Sequence, residues 1–149
     1  MKPLFFALSA ALCLACTPQG QSEAAPSPPA RQQGAAMHID INGKRFTLQP
    51  ADTAAAAELR KLLPLSLNMA DHLQNEKHAE LPRRLPAADS RPGRIRAGDV
   101  MLWQGNTIVV FYESFDSSYR YTRLGSIANP AGLKEAVGKG SVNIRFTAD

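Results

Sequence analysis

The sequence predicts a mainly β domain, a closed barrel with two short capping helices, and three observations carry that reading. Short apolar runs, alternating or continuous, recur between turn signals from Met37 to the end of the chain. Only two stretches, one near each end of that region, have the composition of helices. No cysteine lies beyond Cys16, so the core has packing alone to hold it, and closing the sheet on itself removes exposed edges.

The elements follow in order. In "MHIDINGKRFTLQP", Ile39 and Ile41 alternate with polar residues, Asn42-Gly43 supplies a two-residue turn, and Phe46 and Leu48 continue the apolar face. Asp52 or Thr53 caps a helix, "TAAAAELRKLL", whose buried side carries Leu59, Leu62 and Leu63 and which Pro64 stops. "LSLNMADHL" alternates Leu65, Leu67 and Met69 as a half-buried strand. A long irregular connection follows, "QNEKHAELPRRLPAADSRPGRIRAG", with prolines at 82, 86 and 92. "DVMLWQGNTIVVFYES" gives two strands around Gln104-Gly105-Asn106, the second continuous from Ile108 to Tyr112 and suited to burial on both faces. "YRYTRLGSI" is a further strand. Asn129 caps a short helix opened by Pro130, and "SVNIRFTA" closes the domain with Val142, Ile144 and Phe146 alternating.

Ahead of this domain lies a different kind of sequence. Residues 1–15, "MKPLFFALSAALCLA", join one lysine to an uncharged apolar run shorter than the roughly 20 residues a membrane-crossing helix needs. "LCLAC" resembles the lipobox of bacterial lipoproteins, with Cys13 standing where that pattern prefers leucine. The resemblance implies acylation at Cys16, by chains such as palmitate, and a membrane partner through that anchor. The chain is then expected in a bacterial cell envelope, at the outer membrane if the cell has two, since Thr17 rather than aspartate follows the cysteine. The other reading is a soluble, secreted or periplasmic protein cut near "SEAAP". Residues 16–36, rich in Pro, Gln, Ser, Ala and Gly, read as a flexible tether, and 37–149 as the folded domain.

The formal net charge is +4, with a local excess in "RRLPAADSRPGRIR". That stretch is either a solvated loop or a contact for anionic lipid or polysaccharide. Nucleic acid is not an expected partner of an exported chain.

The order of "AGDVMLW", "SFDSSYRYTRLGSI", "NPAGL" and "GKGSV" resembles the bacterial cyclophilin-like domain family, over essentially the whole region from Met37. The resemblance implies a closed cyclophilin-like β-barrel. It implies no known activity. Catalytic cyclophilins place an arginine over an apolar pocket to assist rotation about Xaa-Pro bonds. Their Phe-His-Arg and Gln-Gly-Gly-Asp stretches are absent here, so no residue carries over as catalytic.

Chemistry then concentrates in "VVFYESFDSSYRYTRLG", which holds all three tyrosines and half of the ten aromatic residues. If 119–124 is a strand, Tyr119, Tyr121 and Arg123 share one face and offer π-surfaces, phenols and a guanidinium to a peptide or small ligand. Tyr112 is a further candidate. Against this, the tyrosines fill the core and one arginine pairs with Glu113 or Asp116. Asn75, Glu76 and His78, with His72 nearby, suggest acid-base chemistry or metal binding, but the spacing matches no strong zinc pattern. No cofactor or metal is expected. Two functions follow: a non-catalytic envelope module binding a peptide, small ligand or partner protein, and a divergent peptidyl-prolyl isomerase acting on exported proteins.

Overall fold

The computed structural model describes residues 35–149. The leader, Cys16 and nearly all of the tether lie outside the described residues. Twelve elements run in the order β1 (Met37–Ile41), β2 (Lys44–Pro50), α1 (Ala54–Arg60), β3 (Leu65–His72), β4 (Glu76–Glu80), β5 (Gly93–Ile95), β6 (Asp99–Trp103), β7 (Thr107–Phe111), β8 (Phe115–Ser117), β9 (Thr122–Ile127), α2 (Leu133–Val137) and β10 (Val142–Ala148). Eight strands close into an antiparallel barrel in the order β1-β10-β3-β4-β7-β6-β9-β2, while β5 and β8 pair as a separate two-stranded arm.

Period-two alternation builds the barrel core. Ile39 and Ile41, Phe46 and Leu48, Val100 and Leu102, Ile108 and Val110, and Ile144 and Phe146 point inward and pack as one buried cluster. The β1–β2 turn works as the sequence predicts, because Asn42 and Gly43 both adopt positive φ, 47° and 79°. Thr53 caps α1 by accepting a hydrogen bond from the Ala56 amide at 3.1 Å. The helix adds Ala55 and Leu59 to the core, and α2 adds Leu133, Ala136 and Val137. Gly125 is required where β2 and β9 meet, since a Cβ there would sit 2.4 Å from the Gln49 carbonyl oxygen.

Four expectations are corrected. The connection after β3 contains a full barrel strand, β4, paired with both β3 and β7. Its alternation is hidden because Lys77 points inward, while Glu76 and His78 occupy the opposite face. The same connection also supplies β5. Helix α2 begins at Leu133, after a left-handed Gly132, and not at Pro130; Asn129 instead accepts from the Ala131 amide in the preceding turn. Finally, β9 begins at Thr122, so residues 119–121 are no strand, and the Tyr121 backbone pairs through an isolated bridge to Ser90.

Strand β7 is buried at every position for a specific reason. Its inner face joins the barrel core. On its outer face Val109 and Phe111 pack with Ile95, Met101 and Tyr121, and Phe115 of the arm covers part of them. This second cluster, outside the barrel wall, sets up the candidate site.

Candidate functional site

Register determines which side chains meet beside that outer cluster. Across β4 and β7, Glu76 faces Phe111, His78 faces Val109 and Glu80 faces Thr107. Across β3 and β4, His72 faces Glu76. Across β6 and β7, Trp103 faces Thr107. Directly opposed residues project to the same side of a sheet, so His72, Glu76, His78, Trp103, Thr107 and Val109 all look outward together. They line a concavity of about 350 Å³, completed by Leu73 and Asn75 of the β3–β4 turn and by Phe115, Tyr119 and Tyr121 from the arm side. This volume suits a compact ligand or one peptide side chain.

The wall is largely apolar and aromatic. Trp103 is 38% exposed and Tyr119 66%, so both rings stay open to solvent beside the concavity. Phe111 meets Tyr121 edge-on at 5.6 Å between ring centroids and fixes that ring from below. The rings of His72 and His78 also meet edge-on, at 5.9 Å. Leu73 and Gln74 close the β3–β4 turn with φ of 52° and 55°, a conformation that costs a leucine steric strain. Leu73 nevertheless sits exposed at the rim.

The electrostatics of the pocket centre on Glu76. Burial pushes its carboxyl above the usual glutamate range and the nearby Asp71 charge adds to this, while His72 acts in the opposite direction. Burial likewise raises the Tyr121 phenol, and the Glu76 charge reinforces the shift against a hydrogen bond from Ser117. Asn75 anchors its turn by accepting the Tyr112 and Glu113 amides on its backbone carbonyl, at 3.0 and 3.3 Å. Its side-chain oxygen is buried and has no donor. Among the described residues no group of three or more His, Cys, Asp and Glu side chains is arranged to hold a metal ion.

The sequence-predicted residues separate. Tyr119 and Tyr121 line the pocket, Tyr121 from a buried position and Tyr119 from an exposed bend. Arg123 does not line it; its guanidinium lies 3.8 Å from Asp99 on an exposed flank. Arg120 donates to the Asp89 carbonyl oxygen at 2.7 Å. Tyr112 is buried in the barrel core and not on the outer face, with its hydroxyl donating to Asp71 at 2.5 Å. Burial, and then that hydrogen bond, push its phenol well above the ordinary range, so it stays protonated. The two partners suggested for the window's arginines bind elsewhere, Asp116 to Arg94 and Glu113 to Lys134.

Comparison with known proteins adds one decisive match. The family described as "Cyclophilin-like family" is matched by residues 39–147. The chain belongs to the cyclophilin-like family. The cyclophilin-like barrel is also similar to the solution structure of a hypothetical protein from Archaeoglobus fulgidus, with a TM-score of 0.54 at 16% identity. That likeness spans 82% of this chain and 100% of the archaeal one, and it concerns the fold alone. No match was found among curated proteins.

In this cyclophilin-like domain, sequence reasoning overlooked Trp103, Thr107, Val109 and Phe115 as pocket residues. A usable signal existed for three of them. Thr107 and Val109 alternate outward on β7, and the Gln104-Gly105-Asn106 turn folds Trp103 back opposite Thr107. Phe115 had none, because a three-residue strand carries too little pattern to place it.

The basic stretch is partly engaged within the fold. Arg83 reaches Glu58 at 2.9 Å, Arg84 donates to the Gln104 carbonyl at 2.8 Å, and Arg94 pairs with Asp116 at 3.1 Å.

Proposed function

We propose that this cyclophilin-like protein is a cell-envelope lipoprotein, anchored through Cys16, whose barrel carries a non-catalytic pocket for a small ligand or a peptide side chain. The observation behind this reading is the concavity on β3, β4, β6 and β7. It combines an aromatic wall with a few convergent polar groups on rigid strands, the usual composition of a ligand site. Neither Arg120 nor Arg123 lines it, which removes support from the isomerase alternative. The anchor rests on the lipobox-like "LCLAC" and the tether composition.

Ligand-observed NMR against a library of short peptides and metabolite-sized compounds tests the binding half. Saturable hits that weaken in Trp103→Ala are expected, and a library without a single saturable hit would refute it. For the anchor, labelled palmitate should enter the wild-type chain and not Cys16→Ser. Equal labelling of both would refute lipidation at that cysteine.

A further inference from the structure

We propose that the pocket selects a compact cation, an ammonium or guanidinium group on an apolar stem, with Glu76 as its counter-ion. This rests on the reading of the pocket as a ligand site and specifies the chemistry of the ligand. Charge provides the first argument. The chain carries 17 Lys and Arg against 13 Asp and Glu, yet no lysine or arginine lines the pocket and Glu76 is its one carboxylate. Among the described residues no lysine, arginine or histidine forms an ion pair with Glu76. A carboxylate whose protonation is favoured by burial gains most from a cation brought beside it, because the same low-dielectric surroundings strengthen the attraction.

The aromatic wall is the second argument. Trp103, Tyr119 and Tyr121 line the same pocket as the carboxylate, Tyr121 near enough for the Glu76 charge to act on its phenol, and a cation over such a ring gains roughly 0.5–2 kcal/mol. Exposed Leu73 and buried Val109 would take up the apolar stem. The +4 charge of the whole chain opposes cations at long range, but salt screens it beyond about 8 Å at physiological ionic strength, so the local carboxylate dominates.

Trp103 is the single tryptophan of the chain, so its fluorescence reports on this site alone. The full chain is titrated with 2-phenylethylamine, with neutral 2-phenylethanol and with anionic phenylacetate. Acetyl-lysine amide and acetyl-arginine amide form a second arm. We expect the amine to bind at least tenfold more tightly than the alcohol, with no saturation by phenylacetate. In Glu76→Gln the amine and alcohol affinities should converge while alcohol binding is retained. An alcohol that matches the amine in the wild type, or a full amine preference surviving in Glu76→Gln, overturns the cation proposal alone. If Trp103 responds to none of the probes, the ligand-site reading falls with it. Tighter binding of the amino-acid amides than of phenylethylamine assigns the cation to a peptide side chain, and the reverse order to a small amine.

Discussion

Replacing Lys77 with methionine should remove one of the larger single contributions to the stability of the barrel. Lys77 is fully buried, and its Nζ donates to Asp71 Oδ1 at 2.7 Å, to the Gly140 carbonyl at 2.6 Å and to the Gly138 carbonyl at 3.0 Å. It also lies 5.3 Å from the centre of the Tyr112 ring. One side chain thus ties β3, β4 and the α2–β10 turn together from inside the wall. Breaking a buried pair by deleting one partner costs about 3–5 kcal/mol, because the other charge is left uncompensated. The Asp71 side chain is 19% exposed and keeps its bond from Tyr112, so water and that hydroxyl moderate the penalty. The two glycine carbonyls belong to exposed residues and can also turn to water. Methionine retains most of the aliphatic volume, which keeps the cavity cost small. The expected loss is therefore at the lower end, about 3 kcal/mol, or about 12 °C in Tm at roughly 4 °C per kcal/mol for a domain of this size. Urea unfolding followed by Trp103 fluorescence and circular dichroism measures it. The companion cycle uses Asp71→Asn, in whose background Lys77→Met should cost at least about 1 kcal/mol less. A loss below about 1 kcal/mol, or an equal loss in both backgrounds, would refute the reasoning. Acid provides an independent check. Burial acts to raise the Asp71 carboxyl, but the hydrogen bonds from Lys77 and Tyr112 and the Lys77 charge outweigh it, leaving the pKa below the usual aspartate value. The stability Asp71 contributes is thus present above its unfolded pKa and lost as pH falls through the lower folded one. The Asp71→Asn variant should lack that part of the acid loss.

Three further outcomes are expected. Gly125→Ala should cost about 1–3 kcal/mol in urea unfolding, since the new methyl group meets the Gln49 carbonyl oxygen first, at 2.4 Å, and the Leu48 side chain at 3.0 Å; an unchanged midpoint would show that β2 can shift freely. Amine affinity at the pocket should fall as pH drops through the raised Glu76 pKa, at values above the usual glutamate range, because only the ionised form attracts a cation; Asp71 and His72 on β3, His78 on β4 and Tyr121 before β9 surround it, and an identical pH slope in Glu76→Gln would assign the effect to them. Exchange spectroscopy on short Xaa-Pro peptides should show no catalysed cis-trans exchange, whereas cross-peaks that vanish in Arg123→Ala would restore the isomerase reading.

Most of the barrel was legible in the sequence because most of its strands obey one rule, apolar side chains inward at every second position. The β1–β2 hairpin, the Thr53 cap and the doubly buried β7 all follow from local pattern. Strand β4 was lost because its inward Lys77 is satisfied by Asp71 and two glycine carbonyls distant in sequence, a network that no local window displays. The candidate site was legible only in part. The aromatic window supplies Tyr119 and Tyr121, but the assumed parity from 119 to 124 fails because β9 starts at Thr122. Arg123 consequently lies beside Asp99, and Tyr112, one position beyond outward-facing Phe111, turns into the barrel. Glu76 and His78 drew notice as residues of the irregular connection, with His72 nearby. Their meeting with Trp103 depended on pairing β4 with β7, and therefore on the strand that the pattern concealed.

The β5–β8 arm lies outside the closed ring of hydrogen-bonded strands, and this divides the pocket into two tiers of cooperativity. The floor, made by β4, β6 and β7, can open only when the ring itself breaks, so its amides should exchange hydrogen close to the global unfolding free energy. The arm holds itself by two three-residue strands, the Ile95 and Phe115 contacts and an exposed Arg94–Asp116 pair. Its amides should therefore exchange faster than those of the floor. Substitutions in the exposed positions of the arm should therefore change what the pocket admits with less effect on the fold than substitutions in the floor.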